Sequence, residues 1–454
     1  MTILDLPNII AEHQELTDRG YEITAKSAYE PDFCPLCGTV NPILSKFGKR
    51  KQTFMDLPIH GERVGILINR QRYRCKDCGS AFYELLQDMD ENHLCTRRFK
   101  QYVELQSLKR TFKSLAEELG VTEGTIRNIF NRFVDALDGA RELKTPDWMG
   151  IDEIHILGKP RGVITNVKSN VLVDLLVNRN KETVVHYLRQ MRDTQDINVV
   201  TMDMWNPYRQ AVREVLPDAE IVVDKFHIVR MGNQAVEDIR KTIRKGLDTK
   251  ERRQLKNDRF ILLKRRKDLN TSQQIILDSW TGNFPELRQA YELKESFYDI
   301  WDSGDAKEAS ERYAEWQKTI PSAMRSAFGD ITSAYRNWNR EINNYFTYRA
   351  TNAYTESMNN LIRAVNRMGR GYSFKALRAK MLYSEGIHKT AKQNYRKSMS
   401  LMNRMMDFYR QPEEETVILG ADISILIKRI EEGSLWPPFQ HTFTDTLFYW
   451  CLVL

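Results

Sequence analysis

A doubled cysteine motif constrains this 454-residue chain more than any other feature of its sequence. Four of the six cysteines form two C-x-x-C-G turns, which pair Cys34 with Cys37 and Cys75 with Cys78. Two thiolates three residues apart on a tight turn can bind one Zn²⁺ ion, and a second such turn completes the tetrahedron. The glycine after each pair allows the backbone to fold back toward the sulfurs. We therefore expect one structural Zn²⁺ ion, held by these four cysteines.

A disulfide or a redox-active C-x-x-C motif would use the same residues. The N-terminus carries acids and no continuous apolar segment, so it does not resemble a signal peptide. No run of about 18 apolar residues is present that could span a membrane. An intracellular chain disfavours the disulfide, and the doubled spacing disfavours the redox motif. Cys95 and Cys451 have no comparable pairing and are interpreted as ordinary thiols.

The segment between the two cysteine turns predicts a hairpin. Apolar and polar residues alternate over positions 62–75, which is typical of the strands of a zinc ribbon. Arg70, Arg72 and Arg74 occupy every second position, so they share one face of the predicted strand. This repetition favours contact with DNA phosphates, although ribbons also bind proteins or simply hold a small domain together.

Residues 112–137 show helical spacing of apolar residues on both sides of Gly120, and Thr122 is placed to cap the second helix. This pattern predicts a helix-turn-helix, whose second helix enters the major groove of DNA. A plain helical hairpin inside a helical domain is the alternative, and the neighbouring ribbon favours the DNA-binding interpretation. The residues predicted to contact DNA here are Thr122, Thr125, Arg127, Asn128, Asn131 and Arg132.

Positive charge is concentrated in three stretches. Residues 46–76 hold nine Lys and Arg against two acids, residues 240–268 hold thirteen against four, and residues 363–404 hold eleven against one. One such stretch alone is usually a solvated surface. Three of them, interleaved with Tyr, Phe and Asn, favour a long polyanion over a small acidic metabolite. The 41% hydrophobic content excludes global disorder, so we expect folded domains that bind nucleic acid.

From residue 148 onward, the periodicity predicts three strands, a helix, a strand, a helix and a closing strand over residues 219–230. This order indicates an α/β sheet with three leading antiparallel strands. Asp152 lies inside the first strand, where an acid is costly, and Asp203 ends the fourth, at the edge where such sheets hold ligands. Either acid alone would be typical of a strand-end cap or an ion pair. If the two strands are neighbours, both acids could bind Mg²⁺ or Mn²⁺.

A third acid, Glu356, lies on a predicted helix whose apolar stripe runs from Met358 to Val365. On the opposite face this single acid stands among amides and arginines, which is typical of a metal ligand beside a DNA backbone. A solvated face is the alternative. Gly371 belongs to a flexible basic turn that could approach a phosphate closely. The predicted polar face contains Asn352, Glu356, Asn359, Asn360, Arg363 and Arg367, and we assign DNA contact to Asn360, Arg363, Arg367 and Arg370.

Taken together, these motifs resemble the ISL-three family of insertion-sequence transposases, a group of DDE transposases. The matching segments are GIDEIH with Asp152, TMDMWNPYRQAV with Asp203, and TNAYTESMNNLIRAVNRMGRGYSF with Glu356. Asp224 and His227 match a D-x-x-H motif that follows the second catalytic acid in related groups. The resemblance extends over about residues 30–400.

The resemblance implies a multidomain chain with a zinc ribbon, an all-α helix-turn-helix domain, and an α/β RNase H-like catalytic core that carries an all-α insertion. The expected segments are an N-terminal helical lead (1–30), the zinc ribbon (31–90), the helix-turn-helix domain (91–145), the first part of the core (146–230), the insertion (231–350), the last part of the core with the Glu356 helix (351–410), and an atypical tail (411–454). We interpret the tail as a lineage-specific extension or a frameshifted end. Tryptophans 280, 301, 316 and 338 of the insertion are interpreted as packing anchors rather than base-stacking platforms.

The activity that this resemblance implies is DNA strand cleavage and joining with two Mg²⁺ or Mn²⁺ ions. Asp152, Asp203 and Glu356 are expected to hold the ions, with Asp152 between them. Asp224 and His227 are expected either to position the scissile phosphate or to form a buried hydrogen bond.

The partners implied are the terminal inverted repeats of the element and a target DNA duplex. Joining two ends requires at least a homodimer, and we expect a cytoplasmic, nucleoid-associated protein of a bacterial cell without a membrane partner. Two other functions stay open from the residues: a non-catalytic DNA-binding regulator and an RNase H-like nuclease that acts alone. A regulator has no use for Asp152 inside a strand, and a stand-alone nuclease needs no sequence-selective reader.

Overall fold

The computed structural model describes residues 4–141 and 145–384. The chain divides into two compact units, Met1–Glu142 and Leu143–Leu454. Cys451, the predicted tail (411–454) and the end of the predicted core (385–410) lie outside the described residues. Within the described ranges, no helix combines the length and the apolar character needed to cross a bilayer.

Within residues 4–141, the first unit consists of a seven-stranded sheet and three helices. The strands are β1 (Ile9–Thr17), β2 (Gly20–Ser27), β3 (Leu44–Ile59), β4 (Glu62–Cys75), β5 (Ala81–Tyr83), β6 (Met89–Asp90) and β7 (Cys95–Thr96). The helices are α1 (Arg97–Lys109), α2 (Phe112–Leu119) and α3 (Glu123–Ala140).

The centre of this sheet is the long antiparallel hairpin of β3 and β4, which confirms the predicted hairpin. The strand order is β1-β2-β4-β3-β7-β6, and β5 pairs with β4. Val64, Ile66 and Ile68 are fully buried at alternate positions of β4, so one face of the strand forms the core of the unit.

The prediction of a helical lead over residues 1–30 is wrong, because β1 and β2 form an antiparallel hairpin there. β2 also pairs in parallel with β4, with Tyr21 opposite Val64. Ile23 and Ala25, two positions apart, are buried in the same core as β4. The open edge of β4 supplies backbone hydrogen bonds to this segment, and that long-range pairing decides its structure.

The helix-turn-helix is confirmed. α2 ends at Gly120, and α3 begins after Thr122, whose hydroxyl accepts a hydrogen bond from the Thr125 amide at 3.2 Å. Leu115 of α2 and Phe130 of α3 are fully buried, so the apolar stripes of the two helices form a common core.

Within residues 145–384, the second unit has a five-stranded sheet with helices around it. The strands are β8 (Trp148–Ile156), β9 (Lys159–Asn166), β10 (Val171–Leu175), β11 (Val199–Met202) and β12 (Glu220–Val223). The helices are α4 (Lys181–Gln190), α5 (Asn206–Val215), α6 (Lys225–Lys245), α7 (Thr249–Asn257), α8 (Arg259–Leu263), α9 (Thr271–Asn283), α10 (Pro285–Asp299), α11 (Ala306–Thr319), α12 (Gly329–Tyr348), α13 (Ala353–Gly369) and α14 (Phe374–Ala379).

The sheet order is β10-β9-β8-β11-β12. The first three strands pair antiparallel, whereas β11 runs parallel to both β8 and β12. This arrangement confirms the predicted α/β class, the three leading antiparallel strands and the adjacency of the first and fourth strands.

The predicted closing strand over residues 219–230 is wrong beyond Val223, because α6 begins at Lys225. Asp224 caps this helix by accepting a hydrogen bond from the Phe226 amide. Ile228, Gly232 and Ala235 are buried at helical spacing, so the apolar residues that suggested a strand instead pack one side of a helix.

Alternation along β8 separates the two faces of this sheet. Met149 and Ile151 pack in the cluster that contains α4 and α5, whereas Gly150 and Asp152 face α13. From α6 to α12 the described chain is helical, and Trp280, Trp316 and Trp338 are buried in the core of that region, as expected for packing anchors.

Candidate functional site

The sheet brings three acids to one region. β11 and β12 run parallel with Met202 opposite Val223, so the next residues, Asp203 and Asp224, emerge side by side at the carboxyl edge. Ile151 of β8 also lies opposite Met202, which places Asp152 beside the same edge. These three acids are separated in the sequence, and they are neighbours in the structure because the strands that carry them are adjacent.

Asp203 and Asp224 meet His227, which lies in the first turn of α6. The Nδ1 atom of His227 is 2.9 Å from Oδ1 of Asp203 and 3.7 Å from Oδ2 of Asp224. One potential ligand atom from each of the three residues falls within 4.8 Å of the others. Desolvation lowers the pKa of His227, but the adjacent carboxylates of Asp203 and Asp224 outweigh it and raise that pKa to about 11.

The facing atoms of this cluster have no other partner. Among the described residues, Asp203 Oδ1, Asp224 Oδ2 and His227 Nδ1 are each buried without an aligned hydrogen-bond partner. Buried polar atoms are nearly always satisfied, and a common ligand at the point where these three converge would satisfy all of them. Two carboxylates and an imidazole are donors that a divalent cation accepts, and the cluster therefore fits a metal ion.

Asp152 is held firmly beside this cluster. Its side chain is only 6% exposed; Oδ1 accepts a hydrogen bond from the Glu153 amide at 2.6 Å, and Oδ2 accepts one from Nδ2 of Asn359 at 2.7 Å. Desolvation and the negative charge of Asp203 raise the pKa of Asp152 well above its usual range. A cation at this position would offset both effects.

Glu356 lies in the first turn of α13 and is exposed, so its carboxylate can reach a bound ligand. Desolvation by the surrounding protein and the negative charge of Asp224 raise the pKa of Glu356 to about 7. The charges of Asp203 and His227 also act on it, which ties Glu356 electrostatically to the cluster.

Contact between α13 and the sheet fixes the position of Glu356. A Cβ atom on Gly150 would lie 2.4 Å from the Thr165 hydroxyl oxygen and 2.7 Å from that of Thr355, so only glycine permits this approach. The two threonine hydroxyls are 2.8 Å apart, and the Thr201 hydroxyl donates to Asn352 Oδ1 at 3.3 Å. These contacts seat the first turn of α13 directly on β8, β9 and β11.

The predicted catalytic residues therefore fall into two groups. Asp203 forms a tight cluster with Asp224 and His227, the two residues that were predicted to support it. Asp152 and Glu356 interact with the cluster through their charges but lie outside that tight group.

In the first unit the four motif cysteines come together. Their sulfur atoms lie within 4.8 Å of one another, with Cys34 and Cys75 buried and Cys37 and Cys78 exposed. The glycines that follow the two turns have φ angles of +76° and +71°, the left-handed conformation that the folded-back turns require. A hydrogen bond from the Thr39 hydroxyl lowers the pKa of Cys37 to about 6. Four converging sulfurs are the donor set of a tetrahedral zinc site.

Both clusters lie within segments that match known protein families. The ISL3 family model described as "Transposase" matches residues 149–381, just over half of the chain. This chain belongs to the ISL3 transposase family. The model described as "Helix-turn-helix domain of transposase family ISL3" matches residues 84–134, and the one described as "zinc-finger of transposase IS204/IS1001/IS1096/IS1165" matches residues 30–78.

A curated relative points the same way. The transposase for insertion sequence element IS1001 from Bordetella parapertussis is 24% identical to this chain over 332 residues. The similar region covers 70% of this chain and 80% of the relative. The likeness therefore extends well beyond a single motif.

The helix-turn-helix presents most of the predicted DNA-contact residues to solvent. Thr122, Asn128 and Arg132 are exposed, while Thr125 and Asn131 are partly so. Arg127 pairs with Glu123 one turn earlier and lies 4.9 Å from the Phe112 ring, so it is partly engaged within the unit.

One predicted DNA contact of the ribbon is wrong. Arg70 is only 5% exposed, and its guanidinium donates to Glu91, to Gln52 and to the carbonyl oxygen of Glu84. Strand alternation was read correctly, but the face that carries Arg70 is covered at that point by the segment around residues 84–91. A residue committed to these internal partners is not available to phosphate.

The other two ribbon arginines remain accessible. Arg72 and Arg74 lie 5.2 and 5.1 Å from the ring of Phe47, which is 46% exposed. Their guanidinium groups are thus held beside an aromatic side chain that reaches solvent.

The basic residues predicted on α13 are on its open side. Arg363, Arg367 and Arg370 are exposed, and Arg363 donates to Asn360 at 3.0 Å. By contrast, Asn352 and Asn359, which were predicted to share this face, are buried against the sheet. Part of the predicted polar face of α13 is therefore buried along with its apolar stripe, because the first two turns of the helix pack on the sheet.

Two residues near the acids were not assigned these positions from the sequence. One is Asn359, which holds Asp152, and the other is Trp205, which lies on the surface near Asp203. Trp205, two positions after Asp203, is 39% exposed and has the Arg179 guanidinium 4.6 Å from its ring. Arg179 in turn pairs with Glu153, which follows Asp152. The only sequence signal for this pair was the tryptophan within the TMDMWNPYRQAV segment.

Proposed function

We propose that this ISL3-family protein is a DNA transposase that binds the terminal inverted repeats of its insertion sequence and catalyses metal-dependent strand cleavage and strand transfer. The observation that carries this proposal is the convergence of Asp203, Asp224 and His227, with unpartnered buried atoms, beside Asp152 and Glu356. Placing several desolvated acids next to one another costs free energy of folding. Metal-dependent phosphoryl transfer is a function that requires such a cluster of acids.

The strand order of the second unit supports an RNase H-like core for this proposal. Three antiparallel strands followed by two parallel ones place Asp152 on the central strand and Asp203 at the end of its neighbour. The helices between β12 and α13 then constitute an insertion, after which α13 returns to the sheet with Glu356.

We assign the metal-binding role to Asp152, Asp203 and Glu356, which would hold two Mg²⁺ or Mn²⁺ ions with Asp152 between them. Ions bound by these residues would supply the positive charge for activation of the attacking water or DNA 3′-hydroxyl and for stabilisation of the leaving oxygen. Asn359 keeps the Asp152 carboxylate in one orientation, and Gly150 allows α13 to bring Glu356 close to the sheet. Arg363, Arg367 and Arg370 lie farther along α13 and its end, where they would bind the DNA backbone.

For the first unit, we propose that the ribbon holds one structural Zn²⁺ ion and that α3 reads the terminal repeat. The contacts that we assign to this element are Thr122, Thr125, Arg127, Asn128, Asn131 and Arg132, with Arg72 and Arg74 on the ribbon. Because two ends must be joined, we propose a homodimer as the smallest active assembly.

Cleavage of a duplex that carries the terminal repeat, with Mg²⁺ or Mn²⁺, tests this proposal. Wild-type protein should nick the end, whereas Asp203→Ala should bind the duplex and leave it intact. Asp218→Ala changes an exposed acid of the same unit, in the turn after α5, and is the matched control that should cleave normally. Binding without cleavage by wild-type protein would instead identify a regulator, and cleavage that survives Asp203→Ala would contradict the site.

A further inference from the structure

The cluster at the ends of β11 and β12 has the composition of a complete metal-binding site. Asp203 and Asp224 leave adjacent parallel strands at the same level, and His227 returns one helical turn later to face them. Asp203 and Asp224 each follow directly on a strand, and His227 lies in the first turn of α6, so their donor atoms are preorganised by the adjoining regular structure.

The distances within the cluster match those around a single ion. Two ligands about 2.1 Å from a cation lie about 3.0 Å apart when they are adjacent in an octahedron. The separation between His227 Nδ1 and Asp203 Oδ1 is 2.9 Å, and that between His227 Nδ1 and Asp224 Oδ2 is 3.7 Å. Only a small adjustment is needed for all three atoms to contact the same ion.

A simple ion pair between His227 and Asp203 accounts for only part of this geometry. The two atoms are close, yet among the described residues neither has an aligned hydrogen bond. Asp224 uses Oδ1 to cap α6 and leaves Oδ2 buried, without a partner, and directed at His227. An ion pair would satisfy two atoms at most, whereas here three are left unsatisfied.

We propose that Asp203, Asp224 and His227 together ligate one divalent ion, which displaces the Nδ1 proton of His227 into the solvent and binds that nitrogen directly. Only the role of this ion in DNA cleavage rests on the proposed function; its binding by these residues does not. Compared with the assignment above, the inference adds Asp224 and His227 as ligands of the ion that Asp203 holds. An imidazole nitrogen favours transition-metal ions over Mg²⁺, so this position should select Mn²⁺ over Mg²⁺.

The test is Mn²⁺ binding to the full-length chain without a histidine tag and without DNA. Electron paramagnetic resonance measures affinity from the loss of the free Mn²⁺ signal, and spin-echo modulation detects a nitrogen nucleus bonded to the ion. Wild-type protein should show nitrogen coupling, and Mn²⁺ should bind more tightly than Mg²⁺ in competition. His227→Gln should lose the coupling and bind Mn²⁺ on the order of 10–100-fold more weakly.

Two further variants keep the test decisive. His227→Glu restores a ligand without nitrogen, so it should recover much of the affinity and show no coupling, which also excludes loss of folding as the cause. His186→Gln changes an exposed histidine on α4 and should match wild type in both measurements. Nitrogen coupling that persists in His227→Gln, or bound Mn²⁺ without coupling in wild type, would overturn the inference.

The outcome is separable from that of the cleavage assay. Nitrogen-coupled Mn²⁺ in a protein that never cleaves DNA would support this site and contradict the proposed function. Cleavage by a protein whose bound Mn²⁺ lacks nitrogen coupling would support the proposed function and contradict this site.

Discussion

The two clusters of potential metal ligands in this ISL3-family protein are built in opposite ways. The cysteine cluster takes its ligands from two C-x-x-C turns of four residues each, joined by one long hairpin. The acidic cluster takes Asp203 from the end of β11, Asp224 from the end of β12 and His227 from α6, with Asp152 on β8 and Glu356 on α13. The first is fixed by local spacing and the second by sheet topology.

This difference affects what each cluster does for the protein. The cysteine turns have only a small apolar core, around Phe82, so a metal ion bound there would contribute directly to folding. The acids of the second unit are positioned by strands and helices with large apolar cores of their own. Their fold should persist without metal, while their charges repel each other until a cation binds.

The largest expected effect is on the cysteine cluster. Cys75→Ser removes a buried ligand, and structural zinc is worth about 10–16 kcal/mol in small zinc-binding peptides, so the ribbon should unfold. Zinc content should fall from one equivalent per chain to almost none, and the first unit should become sensitive to protease. Cys95→Ser alters a buried cysteine outside the cluster and should retain its zinc. A Cys75→Ser protein that keeps zinc would show that the ribbon is not built around it.

The second largest expected effect concerns the hydrogen bond that positions Asp152 in the sheet. Asn359→Ala removes the amide that donates to Asp152 Oδ2, and the loss of such a supporting contact typically costs about 10–100-fold in activity or metal affinity. Strand cleavage should slow by that factor and need more Mg²⁺, while thermal stability changes little. Asn366→Ala, on the same helix, serves as the control. Equal cleavage rates and Mg²⁺ requirements in both variants would exclude a positioning role for Asn359.

A third prediction tests the close contact between α13 and the sheet. Gly150→Ala places a methyl group 2.4 Å from the Thr165 hydroxyl oxygen, and overpacking of this kind costs about 1–3 kcal/mol in the free energy of unfolding. Denaturant unfolding should detect that loss together with slower cleavage, because Glu356 shifts with α13. Gly282→Ala has open space around its Cβ position on α9 and should stabilise slightly. Wild-type stability in Gly150→Ala would mean that the helix can move without penalty.

Much of the fold was predictable from the sequence because its signals are local. Alternation over residues 62–75 predicted β4, the spacing around Gly120 predicted α2 and α3, and the strand and helix order of the second unit followed from periodicity. The errors arose where distant residues decide the structure. β2 is a strand because β4 offers it an edge, and β1 pairs in turn with β2. α6 replaces a predicted strand because its apolar residues face a helical core.

The candidate site shows the same division. The cysteine ligands were predicted from spacing alone, and Asp152 and Asp203 from their places in strands. No local pattern indicates that Asn359 reaches Asp152, that Arg70 is buried against Glu91, or that the unpartnered atoms of Asp224 and His227 converge. Each of these contacts joins residues whose proximity only the assembled sheet creates.

The smallest expected effect distinguishes the two kinds of ribbon arginine. Arg72→Ala should weaken DNA binding for all sequences alike and reduce the slope of log affinity against log salt by about 1, as expected for one lost phosphate contact. Arg70→Ala should leave that slope unchanged and instead lower stability, because Glu91 loses its partner. Binding titrations at several salt concentrations measure both. A reduced slope for Arg70→Ala would reinstate it as a DNA contact.

The most direct test of the central claim is strand joining by a pre-cut end. A duplex whose terminal repeat already exposes its 3′-hydroxyl is mixed with a target plasmid, Mn²⁺ and either wild-type protein or Glu356→Gln. We expect wild-type protein to join the end to the plasmid, Glu356→Gln to bind the end without joining it, and Glu182→Gln, an exposed acid on α4, to behave as wild type. Joining by Glu356→Gln at the wild-type rate, or no joining by any of the three proteins, would contradict a transposase site built on the acids of this sheet.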